Sequence, residues 1–146
     1  VAQCATVRSM SAPLSLRLAD DALQRLYFEA KLEGIPPRTL AQRLIDEGLR
    51  MQRHPRIGFM NGVTGRRAYL LGTGVDIWEL IDVVKACGGD VAAAMEFTGR
   101  SQSDMDAALA YYGAYPDEID ARVEANRIAG ERGKAEYLAG LERAAG

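Results

Sequence analysis

The 146-residue chain has little of what most catalytic and metal chemistry needs: one histidine, two cysteines and one tryptophan. Cys4 and Cys87 lie far apart in unlike surroundings. That excludes a disulfide scaffold and reads as two reduced thiols of a cytoplasmic protein. His54 stands alone beside Pro55, Cys87 precedes Gly88 with no neighbouring base, and no cluster of ligating residues has metal-binding spacing. The carboxylates Asp117, Glu118 and Asp120 follow Pro116 at a helix start, where they match the positive end of the helix dipole. No enzyme, metal site or cofactor is expected. No apolar run approaches the roughly 18 residues of a membrane span, and the first ten residues hold one arginine and no apolar signal region, so neither an anchor nor a secretory signal is expected.

The residues that are present suit one or two small packed domains: 48% are apolar and 26% charged, close to the average soluble protein. The net charge of −2 is unevenly spread: +2 over residues 1–54, zero over 55–100 and −4 over 101–146. An anionic partner would therefore meet the front of the chain.

Val1 to Ala12 shows no periodicity and reads as a disordered leader, with Met10 an alternative start. Leu14-Ser15-Leu16-Arg17-Leu18 alternates with the period of a half-buried strand, leucines to one side and Ser15 and Arg17 to the other. Asp20, as N-cap, then opens a helix with Leu23, Leu26, Tyr27 and Ala30 on one stripe, ended by Gly34. Pro36-Pro37 starts a second helix with the stripe Leu40, Leu44, Ile45 and Leu49, which His54-Pro55 ends. The strand has no nearby partner. A second copy supplying an antiparallel strand would satisfy its backbone and cover its leucines, so a dimer through Leu14, Leu16 and Leu18 is expected.

Residues 56–60 and 66–71 read as a small hairpin around the connector 61–65. Asp76 caps a helix carrying Ile77, Leu80, Ile81 and Val84, which Gly88-Gly89 ends. Asp90 caps a short helix, and Ser101 caps a third, with Asp104 reciprocating in a capping box. Pro116 opens a fourth. From about Asn126 the chain is rich in Ala, Gly, Glu, Lys and Arg. Gly130, Gly133 and Gly140 each weaken a helix by about 1 kcal/mol against alanine, so a marginal helix, or disorder until bound, is expected. Gly72-Thr73-Gly74 is not followed by the Lys and Ser/Thr of a phosphate loop.

Leu14 to Arg53 resembles a ribbon-helix-helix DNA-binding unit along its whole length. The resemblance implies that the paired strands lie in the major groove with Pro13, Ser15 and Arg17 reading bases, Arg17 as a bidentate guanine contact. It also implies that the start of the second helix, Pro37, Arg38 and Thr39, clamps a phosphate. Pro36 stands where the family often has Ser or Thr, and Pro37 offers no N–H. A dimer that keeps the fold without the groove contact is the alternative.

Residues 54 to about 125 resemble the bacterial "domain of unknown function 433" family. The matching stretches are His54-Pro55-Arg56-Ile57, Gly65-Arg66-Arg67-Ala68, Gly72 to Glu79, Ala108 to Tyr112 and Pro116 to Ile119. Members resemble small helical domains related to helix-turn-helix folds. Many are antitoxins encoded beside a PIN-type ribonuclease toxin, so the resemblance implies toxin binding. The helix-turn-helix-like segment Asp90 to Tyr112 carries Asp104 and Asp106 at the start of its second helix, which would meet phosphates with like charge.

The expected fold is mainly α with short β: a ribbon-helix-helix dimerisation unit plus a small helix-turn-helix-like helical domain with a β-hairpin. Its divisions are a leader (1–12), a dimerisation and DNA-binding unit (13–53), an antitoxin-like domain (54–125) and an acidic Ala/Gly-rich tail (126–146). The expected function is an antitoxin-like autoregulator. It would bind operator DNA as a homodimer and hold a PIN-type ribonuclease toxin through Arg66, Arg67, Trp78, Tyr137, Leu138 and Leu141, with Arg122, Arg127, Arg132 and Arg143 available to toxin carboxylates. The alternative is a protein-interaction module that never touches DNA.

Overall fold

A computed structural model describes residues 12–62 and 64–145. The expected leader, with Cys4 and the start at Met10, lies outside the described residues except for Ala12. Six helices and one hairpin follow in the order α1 (Asp20–Glu33), α2 (Pro37–Arg53), β1 (Ile57–Gly62), β2 (Gly65–Leu70), α3 (Ile77–Ala86), α4 (Val91–Thr98), α5 (Gln102–Ala114) and α6 (Pro116–Ala145). The chain is mainly helical with a two-stranded antiparallel sheet. No helix among the described residues is long and apolar enough to cross a membrane. Two compact units divide within α2, between Leu44 and Ile45, rather than at the expected boundary after Arg53.

In the first unit, Ala19 rather than Asp20 takes the N-cap position of α1, and Asp20 and Asp21 occupy the first turn, where their charges suit the helix dipole. Gly34 ends the helix in the left-handed conformation (φ 67°), and the next amide, Ile35 N–H, turns back to Ala30 O at 3.0 Å. Arg43 on α2 donates to Glu33 Oε1 at 2.7 Å. Ala30 and Leu40 are buried. Residues 14–18 form neither helix nor strand. A strand exists only through backbone pairing, and none of the described residues pairs with them. Leu14, Leu16 and Leu18 stay 75%, 58% and 45% exposed, and Tyr27, Phe28 and Leu32 of α1 are exposed with them.

The second unit starts with the C-terminal half of α2. Its hairpin pairs Ile57 with Leu70 through to Gly62 with Gly65. Only two residues separate the strands, so Asn61, Gly62 and Gly65 of the expected connector belong to the ladder. Gly65 has φ 100°, and a Cβ on Gly62 would sit 1.9 Å from Arg67 Nη1. Ile57, Ala68 and Leu70 join Ile77, Leu80 and Ile81 of α3, Ala94 of α4, Met105, Ala108 and Tyr111 of α5 and Ile119 of α6 in one core. The caps are the expected ones: Asp90 accepts from Ala93 N–H, and Ser101 and Asp104 form the reciprocal box.

Of the two expectations for the tail, helix or disorder, the structure shows helix: α6 runs unbroken from Pro116 to Ala145, through the expected start of the tail at 126. Its first turns are already ordered against the core, so residues further along only propagate the helix and avoid the costly nucleation step. Arg127 is paired with Glu124 and Glu131, and Arg132 with Glu136, at helical spacing on the outer face. At about 0.2–0.5 kcal/mol per pair these offset only part of the roughly 1 kcal/mol that each of the three glycines costs. Residues 126–145 are almost wholly exposed. A chain ending at Ala125 is therefore expected to keep its melting temperature within a few degrees while losing about 20 residues of helical circular dichroism; a collapse of the melting transition would make the segment part of the core.

Candidate functional site

The residues expected to read DNA stand on the surface of the first unit. Pro13, Ser15, Arg17, Arg38 and Thr39 are exposed and Pro37 is half-buried. The exposed leucines alternate with Ser15 and Arg17, so an extended arm would place the leucines on one side and Arg17 on the other.

In the second unit the arginines are mostly consumed internally. Arg66 makes a two-pronged contact with the buried Glu47 on α2, Nε to Oε1 at 2.7 Å and Nη2 to Oε2 at 2.6 Å. Arg67 Nε donates to the buried Asp76 at 2.8 Å, and the other oxygen of Asp76 takes the Trp78 indole N–H at 2.9 Å. Arg122 grips the hairpin tip, donating to Thr64 O, to Thr64 Oγ1 and to Arg66 O. Arg66, Arg67, Arg122, Arg127 and Arg132, expected as toxin contacts, are thus engaged within the chain. Each already has an acceptor, and a partner would have to compensate Glu47 or Asp76 for the loss. Trp78 is half-buried, fixed by its N–H. Tyr137, Leu138 and Leu141 are exposed on α6.

The centre that sequence reading missed is Arg50. Its Nη1 donates to Glu118 Oε2 at 2.6 Å and to Tyr111 Oη at 3.0 Å, and its Nε lies 2.9 Å from Asp46. Its guanidinium stacks 4.2 Å above the Tyr115 ring. Burial opposes the Arg50 charge, but Glu118 and Tyr111 outweigh it and hold the pKa above the ordinary value. Burial likewise pushes the Tyr111 hydroxyl up. Glu118 therefore serves the Arg50 contact as well as the helix dipole, and Asp120 is taken by Lys85 and the Tyr112 hydroxyl. The only sequence signal was an arginine beside an apolar stripe, which is too common to single out.

At the start of α5, Arg56 reaches Ser103 and Asp104. Burial raises the Asp104 pKa, but hydrogen bonds from Ser101 and the Arg56 charge reverse this and bring it below the ordinary value. One of the two carboxylates expected to repel phosphate is thus already neutralised.

Two depressions are open on this unit. One, of about 350 Å³, lies between the hairpin tip, the start of α3 and α6, and is lined by Thr64, Arg67, Asp76, Trp78, Arg122 and Asn126. The other, of about 310 Å³, is lined by Arg53, His54, Pro55, Ile57, Ala107 and Ala110. No group of three or more His, Cys, Asp or Glu side chains among the described residues is placed to hold a metal ion. The turn at Gly72-Thr73-Gly74 is closed on itself, with the Thr73 hydroxyl donating to Leu70 O and accepting from Val75 N–H.

No protein-family model matches the chain. No curated protein matches it. Among solved structures it is similar to a DUF433 member protein from Anabaena variabilis ATCC 29413, with 21% identity, a TM-score of 0.40, and coverage of 69% of this chain and 97% of that one.

His54 has its ring edge-on to Tyr111 and Tyr115, at centroid distances of 5.3 and 6.0 Å. Burial, reinforced by Arg53, lowers its pKa from 6.5. The unfolded chain then takes up a proton that the folded chain resists, so this contribution to stability is complete above 6.5 and declines as pH falls from there to the lowered folded value. The melting temperature is expected to fall between about pH 7 and pH 5.5, and to fall less over that window in His54→Phe. Calorimetry at matched ionic strength checks this, and equal slopes in the two proteins would assign the loss to other groups.

Proposed function

We propose that the protein is a dimeric DNA-binding regulator of the antitoxin type. The first unit would pair through residues 14–18 and bind operator DNA, and the second would carry the contact with a PIN-type ribonuclease. The observation that carries this reading is the exposed leucine arm, Leu14, Leu16 and Leu18, on a unit whose α1 also exposes Tyr27, Phe28 and Leu32. Exposed apolar groups in such a concentration call for a covering surface. A second copy supplies one, together with the missing strand partner, through an isologous interface. Pairing would leave Ser15 and Arg17 on the outer side of a two-stranded ribbon, whose dimensions suit a DNA major groove.

The regional charge agrees. The most basic third of the chain holds the ribbon and the start of α2, and the acidic third lies at the other end of the sequence. Support for the nuclease comes from the resemblance of residues 54–125 to DUF433 sequences, many of which are antitoxins.

Two variants test the reading. Leu16→Glu puts a charge into the shared leucine face and is expected to abolish pairing of the first unit, read by sedimentation; a wild-type chain that is a folded monomer at micromolar concentration would remove the basis for it. Arg17→Ala is expected to weaken binding to the DNA upstream of its own gene by about 1–3 kcal/mol, about 5- to 150-fold, at unchanged oligomeric state. Equal affinities of mutant and parent at matched salt, by fluorescence anisotropy, would show that the arm does not read DNA.

A further inference from the structure

The depression of about 350 Å³ between the hairpin tip, the start of α3 and α6 has the size of a small-molecule site. Four side chains at it keep recognition capacity that the fold does not use. Trp78 is half-buried, and its indole N–H is fixed on Asp76, so a ring already oriented lines the depression. Arg122 donates only to neutral oxygens, those of Thr64 O, Thr64 Oγ1 and Arg66 O, and enters no ion pair among the described residues. Its Nε–H makes no hydrogen bond there either, so its charge is anchored without being neutralised. Glu79 spends Oε2 on the Asp76 N–H and keeps Oε1 open. Asn126, one turn beyond Arg122 on the same side of α6, is exposed, and its amide has no hydrogen bond among the described residues. Beside it Ala125 and Ala129 keep the α6 wall low.

We infer that this depression binds a purine mononucleotide. The fixed Trp78 ring offers a face on which a base stacks, and a purine covers more of an indole than a pyrimidine does. The edge of the base presents donors and acceptors side by side, the complement of the Asn126 amide. The open oxygen of Glu79 accepts from ribose hydroxyls. Arg122 receives the phosphate, the anion that its own chain does not supply. Arg67, the other cation at the site, is already spent on the buried Asp76, so those two charges cancel. A bare anion would meet Glu79 as well as Arg122 and gain nothing from the indole. An uncharged ring would stack but leave Arg122 and Glu79 desolvated without a partner. A flat ring, a free amide, an open carboxylate and an unneutralised cation together select a ligand made of base, sugar and phosphate. All four side chains belong to the second unit, so the site is independent of strand pairing in the first.

Trp78 is the single tryptophan of the chain, so intrinsic fluorescence of the full-length protein reports this site. With excitation beyond the absorption of adenine, adenosine monophosphate is expected to quench the emission saturably. Adenosine, which lacks the phosphate, is expected to bind about tenfold more weakly or worse. Inorganic phosphate is expected to displace the nucleotide only at far higher concentration. Asn126→Ala and Ala129→Leu alter exposed positions of α6 and are expected to keep the melting temperature of the parent. The first is expected to weaken nucleotide binding by about 3- to 10-fold through the lost contact with the base. The second fills the depression and is expected to abolish quenching. No saturable quenching at millimolar nucleotide, equal affinity for adenosine, or parent-like affinity in either variant overturns the inference. Displacement by inorganic phosphate as effective as by the nucleotide itself reduces the site to an anion pocket and overturns it as well.

Discussion

The second unit depends on how it holds one cation. Arg50 is only partly accessible, and an unpartnered guanidinium there would carry a heavy desolvation cost. Glu118 from α6 and Tyr111 from α5 supply the acceptors, Asp46 on its own helix adds an opposite charge, and the Tyr115 ring covers its face. Tyr111 is at once a fully buried core side chain and a hydrogen-bonding partner of Glu118. The same few side chains therefore join α2, α5 and α6. This explains why the compact second unit begins inside α2 rather than after it: the helix is continuous, but from Ile45 onward its polar face belongs to the second unit.

The same economy governs the hairpin. Two strands alone are marginal in water. Here Arg66 ties β2 to Glu47, Arg67 ties it to Asp76 at the head of α3, and Arg122 from α6 caps the tip through backbone carbonyls. Arg66, Arg67 and Arg122 thus hold the hairpin to α2, α3 and α6. What stays exposed in the first unit is largely apolar: Leu14, Leu16 and Leu18 with Tyr27, Phe28 and Leu32 of α1. The charged side chains of the second unit mainly hold its own elements in place.

Local physics was legible in the sequence because each signal acts within a few residues. Gly34 and Gly99 end helices because only glycine enters the left-handed region without a steric cost, Ser101 and Asp104 close a capping box, and Pro116 opens α6. The stripe of α3 announces its buried face, and all four of its apolar positions lie in the core. The alternation at 14–18 shows which side of the arm carries leucine. Only the tertiary structure decided which charges are spent. Arg50 meets Glu118 across 68 residues, Arg122 meets Thr64 across 58, and Arg66 meets Glu47 across 19. No local pattern encodes such pairs, because an ion pair needs proximity in space and is indifferent to separation along the chain. The order of α6 was hidden for a related reason. Its composition argues for a marginal helix, but a helix that starts on a packed core has its nucleation supplied from outside its own sequence.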